Sequence, residues 1–168
     1  MTADQLIQLL NLQKHPKEGG YFRETYRSRD TIELAGGRKR SLSTSIYYLI
    51  TPDSFSALHR LPGEEIFHLY LGDAVEMLML HENGRGEVVR IGKDIAAGES
   101  PQVVVPGGTW QGSRLVAGGA FALLGCTMSP GFDYADYQHG WRDELIAKFP
   151  DHAERIRLLT TSAPTEGS

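Results

Sequence analysis

Short runs of aliphatic, aromatic and β-branched residues recur along this chain, separated by Gly, Pro and Asn turn signals. A strand-length run every ten residues or so indicates an all-β sandwich, barrel or jelly roll rather than an α/β fold. The runs lie at residues 21–29, 41–50, 55–61, 65–71, 75–81, 87–91, 103–105, 112–116 and 120–127. Asn83-Gly84, between two of them, is the strongest short-range hairpin signal. Ala35-Gly36-Gly37-Arg38 and Ala117-Gly118-Gly119 read as further turns, and residues 94–101 as a loop.

Helical spacing is confined to the two ends. Thr2 and Gln5 have the spacing of a capping box, with Leu6, Leu9 and Leu10 on one face, which predicts a helix over 2–12 that stops before His15-Pro16. Trp141, Leu145 and Phe149 lie four apart, which predicts a helix laid across the outside of the sheets and ended by Pro150. Asp151 and Glu154 then offer a cap for a last turn or two through Leu159. The reading is one domain over 1–160, its barrel at about 20–127 and its C-terminal helices at about 141–159, followed by a polar, disordered tail at 161–168.

Composition narrows the classes. With 168 residues, 40% hydrophobic and 23% charged, the chain can bury one core of ordinary soluble type. A net charge of −4 argues against a general nucleic-acid binder. No apolar run has the length of a membrane span and no signal peptide is evident, so a cytoplasmic protein is expected. Cys126 is the sole cysteine, which excludes an intrachain disulfide and a Cys-based zinc cluster; it reads as inert packing. Arg38-Lys39-Arg40 lacks a phosphate-binding glycine pattern and reads as a solvated hairpin tip.

The chemistry concentrates in HRLPGEEIFHLYLG (59–72) and PGGTWQ (106–111). Pro62-Gly63 turns the chain between His59 and Glu65, and if both stretches line one barrel, His59, Glu65 and Gln111 converge inside it. A few polar groups on an apolar wall are how small-molecule pockets are built. Strand alternation sends Glu65, Phe67, Leu69 and Leu71 one way, and His68 the other, toward packing or a dimer contact unless a bulge intervenes. Trp110 is a candidate pocket wall or core anchor, and Phe132 to Tyr137 a candidate lid or sheet-edge cover.

These stretches resemble the cupin superfamily. His59, Glu65 and Gly72 occupy places in its first motif (His-x-His, three or four residues, Glu, six residues, Gly), and Pro106, Gly108 and Gln111 in its second (Pro-x-Gly-x-x-His). HPKEGGYFRETYRS, STSIYYLI, SALHRLPGEEIFHLYLG, PQVVVPGGTWQ and GCTMSPGFDYADY together resemble one branch, the fifth cupin-like family of domains of unknown function. The likeness implies an RmlC-like double-stranded β-helix, or jelly roll, and a homodimer. Its usual three-His, one-carboxylate metal set is depleted, because Leu61 and Gln111 stand at two His positions. No cofactor is expected beyond a weakly bound divalent metal at His59, Glu65 and Gln111.

The expected function is binding of a small polar metabolite, such as a sugar, nucleotide or related acid, by His59, Glu65, Gln111, Trp110, Tyr48 and His68. The metal-free dTDP-sugar 3,5-epimerases, jelly rolls of similar plan, suggest a second reading. In it His59 is a general base, Glu65 its partner, and Tyr134 a candidate acid alongside Tyr48 and Tyr137, between which spacing does not choose. A third reading is a metal-dependent dioxygenase or hydrolase.

Overall fold

The computed structural model describes residues 1–161; the remainder of the expected tail lies outside the described residues. In chain order the elements are α1 (Ala3–Leu9), β1 (Gln13–Lys14), β2 (Tyr21–Arg27), β3 (Thr31–Leu34), β4 (Arg38–Ser41), β5 (Thr44–Ile50) and β6 (Ser56–Arg60). There follow β7 (Glu65–Gly72), β8 (Val75–Leu80), β9 (Gly86–Ile91), β10 (Gln102–Val105), β11 (Trp110–Leu115), β12 (Ala122–Met128), β13 (Gln138–His139), α2 (Arg142–Lys148) and α3 (Ala153–Leu158).

Two antiparallel sheets face each other as a jelly roll. One has the order β1-β2-β5-β12-β7-β10 and the other β13-β6-β11-β8-β9, with β3-β4 as a separate hairpin. The expected barrel is therefore two sheets, with no strand pairing that closes one onto the other among the described residues. Between them pack Tyr48, Ile50, Phe67, Val75, Met77, Met79, Ile91, Leu115 and Leu124, all buried. Burying each such side chain is worth about 1.5–3 kcal/mol.

The capping box at Thr2 and Gln5 forms as the sequence indicates, but α1 ends at Leu9 and Asn11 adopts a positive φ of 50°. The hairpin at Asn83-Gly84 also forms, pairing Leu80 with Gly86. Residues 41–50, expected as one strand, are broken after Ser41, where β4 ends and returns to pair with the unexpected strand β3. α2 and α3 cover the outside of the five-stranded sheet, seating Leu145, Phe149, Ile156 and Leu159 on Leu58, Leu78 and Leu80. Pro150 opens a 3-10 turn between them, and His152 rather than an acidic side chain caps α3, with no side-chain cap bond. No helix among the described residues is long and apolar enough to cross a membrane.

Candidate functional site

His59 on β6 and Gln111 on β11 are direct partners across an antiparallel pair, so their side chains leave the same sheet side by side. Glu65 opens β7 in the opposite sheet and reaches them across the interior. Pro62-Gly63 carries the chain from one sheet to the other, and the second motif's turn closes over it. A Cβ at Gly107 would lie 2.2 Å from the Pro62 carbonyl oxygen, so that approach needs glycine. The three expected groups therefore meet.

Their hydrogen bonds define protonation. His59 Nδ1 lies 2.7 Å from the Ala57 carbonyl and donates to it, leaving Nε2 as an acceptor. The Gln111 amide donates one hydrogen to His59 Nε2 at 2.8 Å and the other to Glu65 Oε2 at 3.1 Å. Gln111 Oε1 is buried without a partner among the described residues. Burial lowers the His59 pKa, opposed by Glu65, and raises that of Glu65, opposed by His59 and Gln111. Tyr137 stacks on His59 at 5.2 Å and seals it, leaving the imidazole 1% exposed.

Two further groups enter from outside the motifs. His15 and Glu18 sit on the segment that reaches the interior just before β2. Gly19 and Gly20 make that path with φ of 90° and 68°, and Cβ atoms there would lie 2.5 Å and 2.8 Å from the Phe55 and Leu49 carbonyl oxygens. Glu18 Oε1 stands 3.6 Å from both His15 Nε2 and His59 Nε2. His15 Nδ1 accepts from the Glu18 and Lys17 backbone N–H groups, so its Nε2 carries the proton. Burial pushes the Glu18 pKa up to about 8, whereas burial first, then His59 and Lys17, lowers His15 to about 4. Sequence spacing does not bring Glu18 or His15 to the site, although both fall in the family-like segment HPKEGGYFRETYRS with the Gly19-Gly20 pair.

Beside this cluster a cavity of about 310 Å³ opens on the inner face of the six-stranded sheet, where β2, β5, β7 and β12 line it. Phe22, Ile46, Tyr48, Phe67, Cys126, Met128, Phe132 and Tyr134 form its apolar wall, with Glu18 and Glu65 inside and Glu24, Arg27 and Asp133 toward solvent. Cys126 is a wall residue with its thiol 3.8 Å from Glu65, and burial pushes its pKa well up. The segment carrying Phe132 and Tyr134 does cover the mouth. Arg27 donates to the Phe132 carbonyl at 3.2 Å, and Arg38 and Arg40 clasp Asp136 at 3.0 and 2.8 Å. The basic cluster expected as a solvated tip is thus partly spent on this clasp.

The remaining expected residues divide. Tyr48 lines the cavity but donates its hydroxyl to the Gly19 carbonyl at 2.7 Å, and Tyr134 lines it from the rim. Trp110 lies elsewhere, packed on the Leu58, Leu78 and Leu145 cluster under the Arg60 guanidinium at 4.7 Å. His68 faces outward beside Tyr70 and contacts Gln102 at 3.2 Å, because the β7 irregularity falls beyond it, near Leu69 and Leu71. Among the described residues, no three His, Cys, Asp or Glu side chains are placed to hold a metal. The donor chemistry agrees: the His59 lone pair and Glu65 Oε2 are both turned onto the Gln111 amide.

Two facing antiparallel sheets with a polar cluster opening on a hollow define a cupin-type jelly roll. The chain belongs to the family described as "Cupin superfamily (DUF985)", whose model matches residues 4–140. It is 36% identical over 149 residues to an uncharacterized protein of Saccharomyces cerevisiae, spanning 81% of this chain and 74% of that one. It is 33% identical to a solved hypothetical protein from Leishmania major, with a TM-score of 0.88 over 96% of this chain and 100% of that one. It is likewise 33% identical to a solved protein from Shewanella oneidensis, with a TM-score of 0.89 over 97% and 99%. Oxalate decarboxylase from Bacillus subtilis shares the fold at 17% identity and a TM-score of 0.55, covering 95% of this chain and 41% of that one.

Proposed function

We propose that this chain is a small-molecule-binding cupin whose ligand occupies the cavity on the inner face of the six-stranded sheet. The observation that carries this reading is a hollow of about 310 Å³ with aromatic and aliphatic walls and two carboxyl groups, Glu18 and Glu65, at its inner end. That volume lies at the lower end of the range for specific ligand sites, roughly 300–1,000 Å³. Of the expected sugars, nucleotides and related acids, the anionic ones fit least well. They would meet those two carboxyls, while Arg27 is already bonded to Glu24 and to the Phe132 carbonyl. Native mass spectrometry of the untagged full chain tests the reading, and should show a co-purified small molecule that Phe67→Trp, which fills the cavity, no longer retains. Equal retention by Phe67→Trp overturns it.

Proton-transfer catalysis is a second reading, favoured by Glu18 with its pKa near neutrality at the cavity wall. His59 suits the base role poorly, since its Nε2 already accepts from Gln111 beneath Tyr137. Solvent deuterium entering a bound carbonyl ligand in the wild type, and lost in Glu18→Gln, is the expected sign. The metal-dependent reading lacks a free donor set. For assembly, we propose a homodimer across the outer face of the six-stranded sheet, where Tyr70 and Val104 are about half exposed near Tyr47 and His68. Analytical ultracentrifugation of Val104→Lys should then report monomer where the wild type reports dimer.

A further inference from the structure

Acidic side chains outnumber basic ones around the cavity. Four carboxyl groups line it (Glu18, Glu24, Glu65 and Asp133) against one guanidinium and one histidine. The guanidinium, Arg27, is bound to Glu24 at 2.7 and 2.9 Å and to the Phe132 carbonyl. The histidine, His15, has its Nδ1 committed to backbone N–H groups. Glu65, only 5% exposed, has no Lys or Arg partner among the described residues, and the basic side chains within 4 Å of Glu18 there are the two neutral imidazoles, each at 3.6 Å. The inner end of the hollow therefore holds two carboxyls without a countercharge.

The walls complete the pattern. Phe22, Phe67 and Phe132 supply apolar ring surface, and aromatic faces attract cations held within about 6 Å of the ring centroid. The same attraction operates just outside the cavity lining, where Lys17 Nζ sits 5.5 Å from the Tyr134 ring centre and 5.2 Å from that of Tyr137. An anion would find little here, since the Tyr48 hydroxyl donates to Gly19, the Gln111 amide hydrogens go to His59 and Glu65, and the His15 Nε2 proton lies beside the Glu18 carboxyl at 3.6 Å.

We infer that the cavity takes a small organic cation, an ammonium on a flat apolar body, with its charge against Glu18 and Glu65 and its body among Phe22, Phe67 and Phe132. This rests on the binding reading above and narrows the ligand class. Sign complementarity at close range, rather than area, makes the discrimination.

Isothermal titration of the full chain above about pH 8, where Glu18 is ionised and the amine is still an ammonium, tests it with three near-isosteric probes: 2-phenylethylamine, 2-phenylethanol and 3-phenylpropionate. The amine is expected to bind at least tenfold more tightly than the alcohol, with the acid weakest. Glu65→Gln and Glu18→Gln, which preserve side-chain shape, should each cut amine affinity about tenfold and leave the alcohol within twofold. Should either variant fail to fold, the three-probe comparison on the wild type still decides. If the alcohol or the acid binds as well as the amine, the cation inference falls and the binding reading stands. If no probe binds at millimolar concentration while mass spectrometry shows a retained neutral or anionic molecule, the cation inference again falls alone. If no probe binds and no molecule is retained, both fall.

Discussion

The interior between the two sheets has two unlike halves. In one, Val75, Met77, Met79, Ile91, Leu115 and Leu124 from both sheets fill the space with apolar side chains, most of them at 0% exposure. In the other, His59, Glu65, Gln111 and Glu18 gather beside a hollow. Both halves are built on the same strands, since β7 supplies Glu65 and Phe67 and β11 supplies Gln111 and Leu115. The packed half carries stability, and this lets the other half hold polar groups that gain nothing from burial by themselves.

Truncation in the packed half should therefore produce the largest loss. Leu124→Ala removes a fully buried side chain between sheets and should cost about 2–5 kcal/mol in chemical denaturation. An unchanged denaturation midpoint would mean that the two halves share the load. The hollow half should respond to pH instead. Glu18 keeps its proton in the folded chain up to about pH 8, whereas the unfolded chain loses it near 4.5. The folded state thus holds the extra proton, and stability falls as pH rises through that window, by up to about 1.4 kcal/mol per unit. His15 works in the opposite sense. With its folded pKa near 4 against 6.5, its contribution is lost as pH falls through that interval. His15 and His59 each stand 3.6 Å from the Glu18 carboxyl, and Glu18 in turn adds to the upward shifts of Glu65 and Tyr137. Glu18→Gln should accordingly melt higher than the wild type at pH 8 and alike at pH 4.5, and equal melting at both would place the carboxyl in solvent.

Much of the packed half was legible from the chain itself. Apolar runs and turn signals located nearly every strand of both sheets, because strand alternation and hairpin chemistry are local. The convergence of His59, Glu65 and Gln111 was legible for a different reason: two motifs with fixed spacing around Pro62-Gly63 and Pro106-Gly107. Glu18 and His15 were not, because their arrival depends on how the Gly19-Gly20 segment folds under the Phe55 and Leu49 carbonyls, a contact between distant stretches. Trp110 misled through its neighbour: adjacent strand residues face opposite ways, so a Trp next to an inward Gln111 points at α2. β3 was missed because Thr31–Leu34 is nearly all exposed and has no buried face to pattern it.

The polar cluster itself can be broken by a smaller cut. Gln111→Leu keeps the volume but takes the donor from His59 Nε2 and from Glu65 Oε2, both buried. Each stranded acceptor costs about 1–3 kcal/mol, partly offset because Leu also removes the unpartnered Oε1. A net loss of about 1–3 kcal/mol is expected in urea denaturation. A neutral result would show that the three groups are satisfied independently.

Trp110→Phe should do least, and its value lies in the contrast. Trp110 is only partly buried and packs outside the sheet on the Leu58 and Leu145 cluster, with the Arg60 guanidinium over its ring at 4.7 Å. Phenylalanine keeps most of that apolar contact and a face for the guanidinium, so the cost should stay below about 1.5 kcal/mol. More telling is ligand affinity. Nothing connects the indole to the cavity wall, so 2-phenylethylamine should bind the variant within twofold of the wild type. A tenfold loss would put Trp110 back in the pocket and erase the division between a packed outer layer and a working hollow.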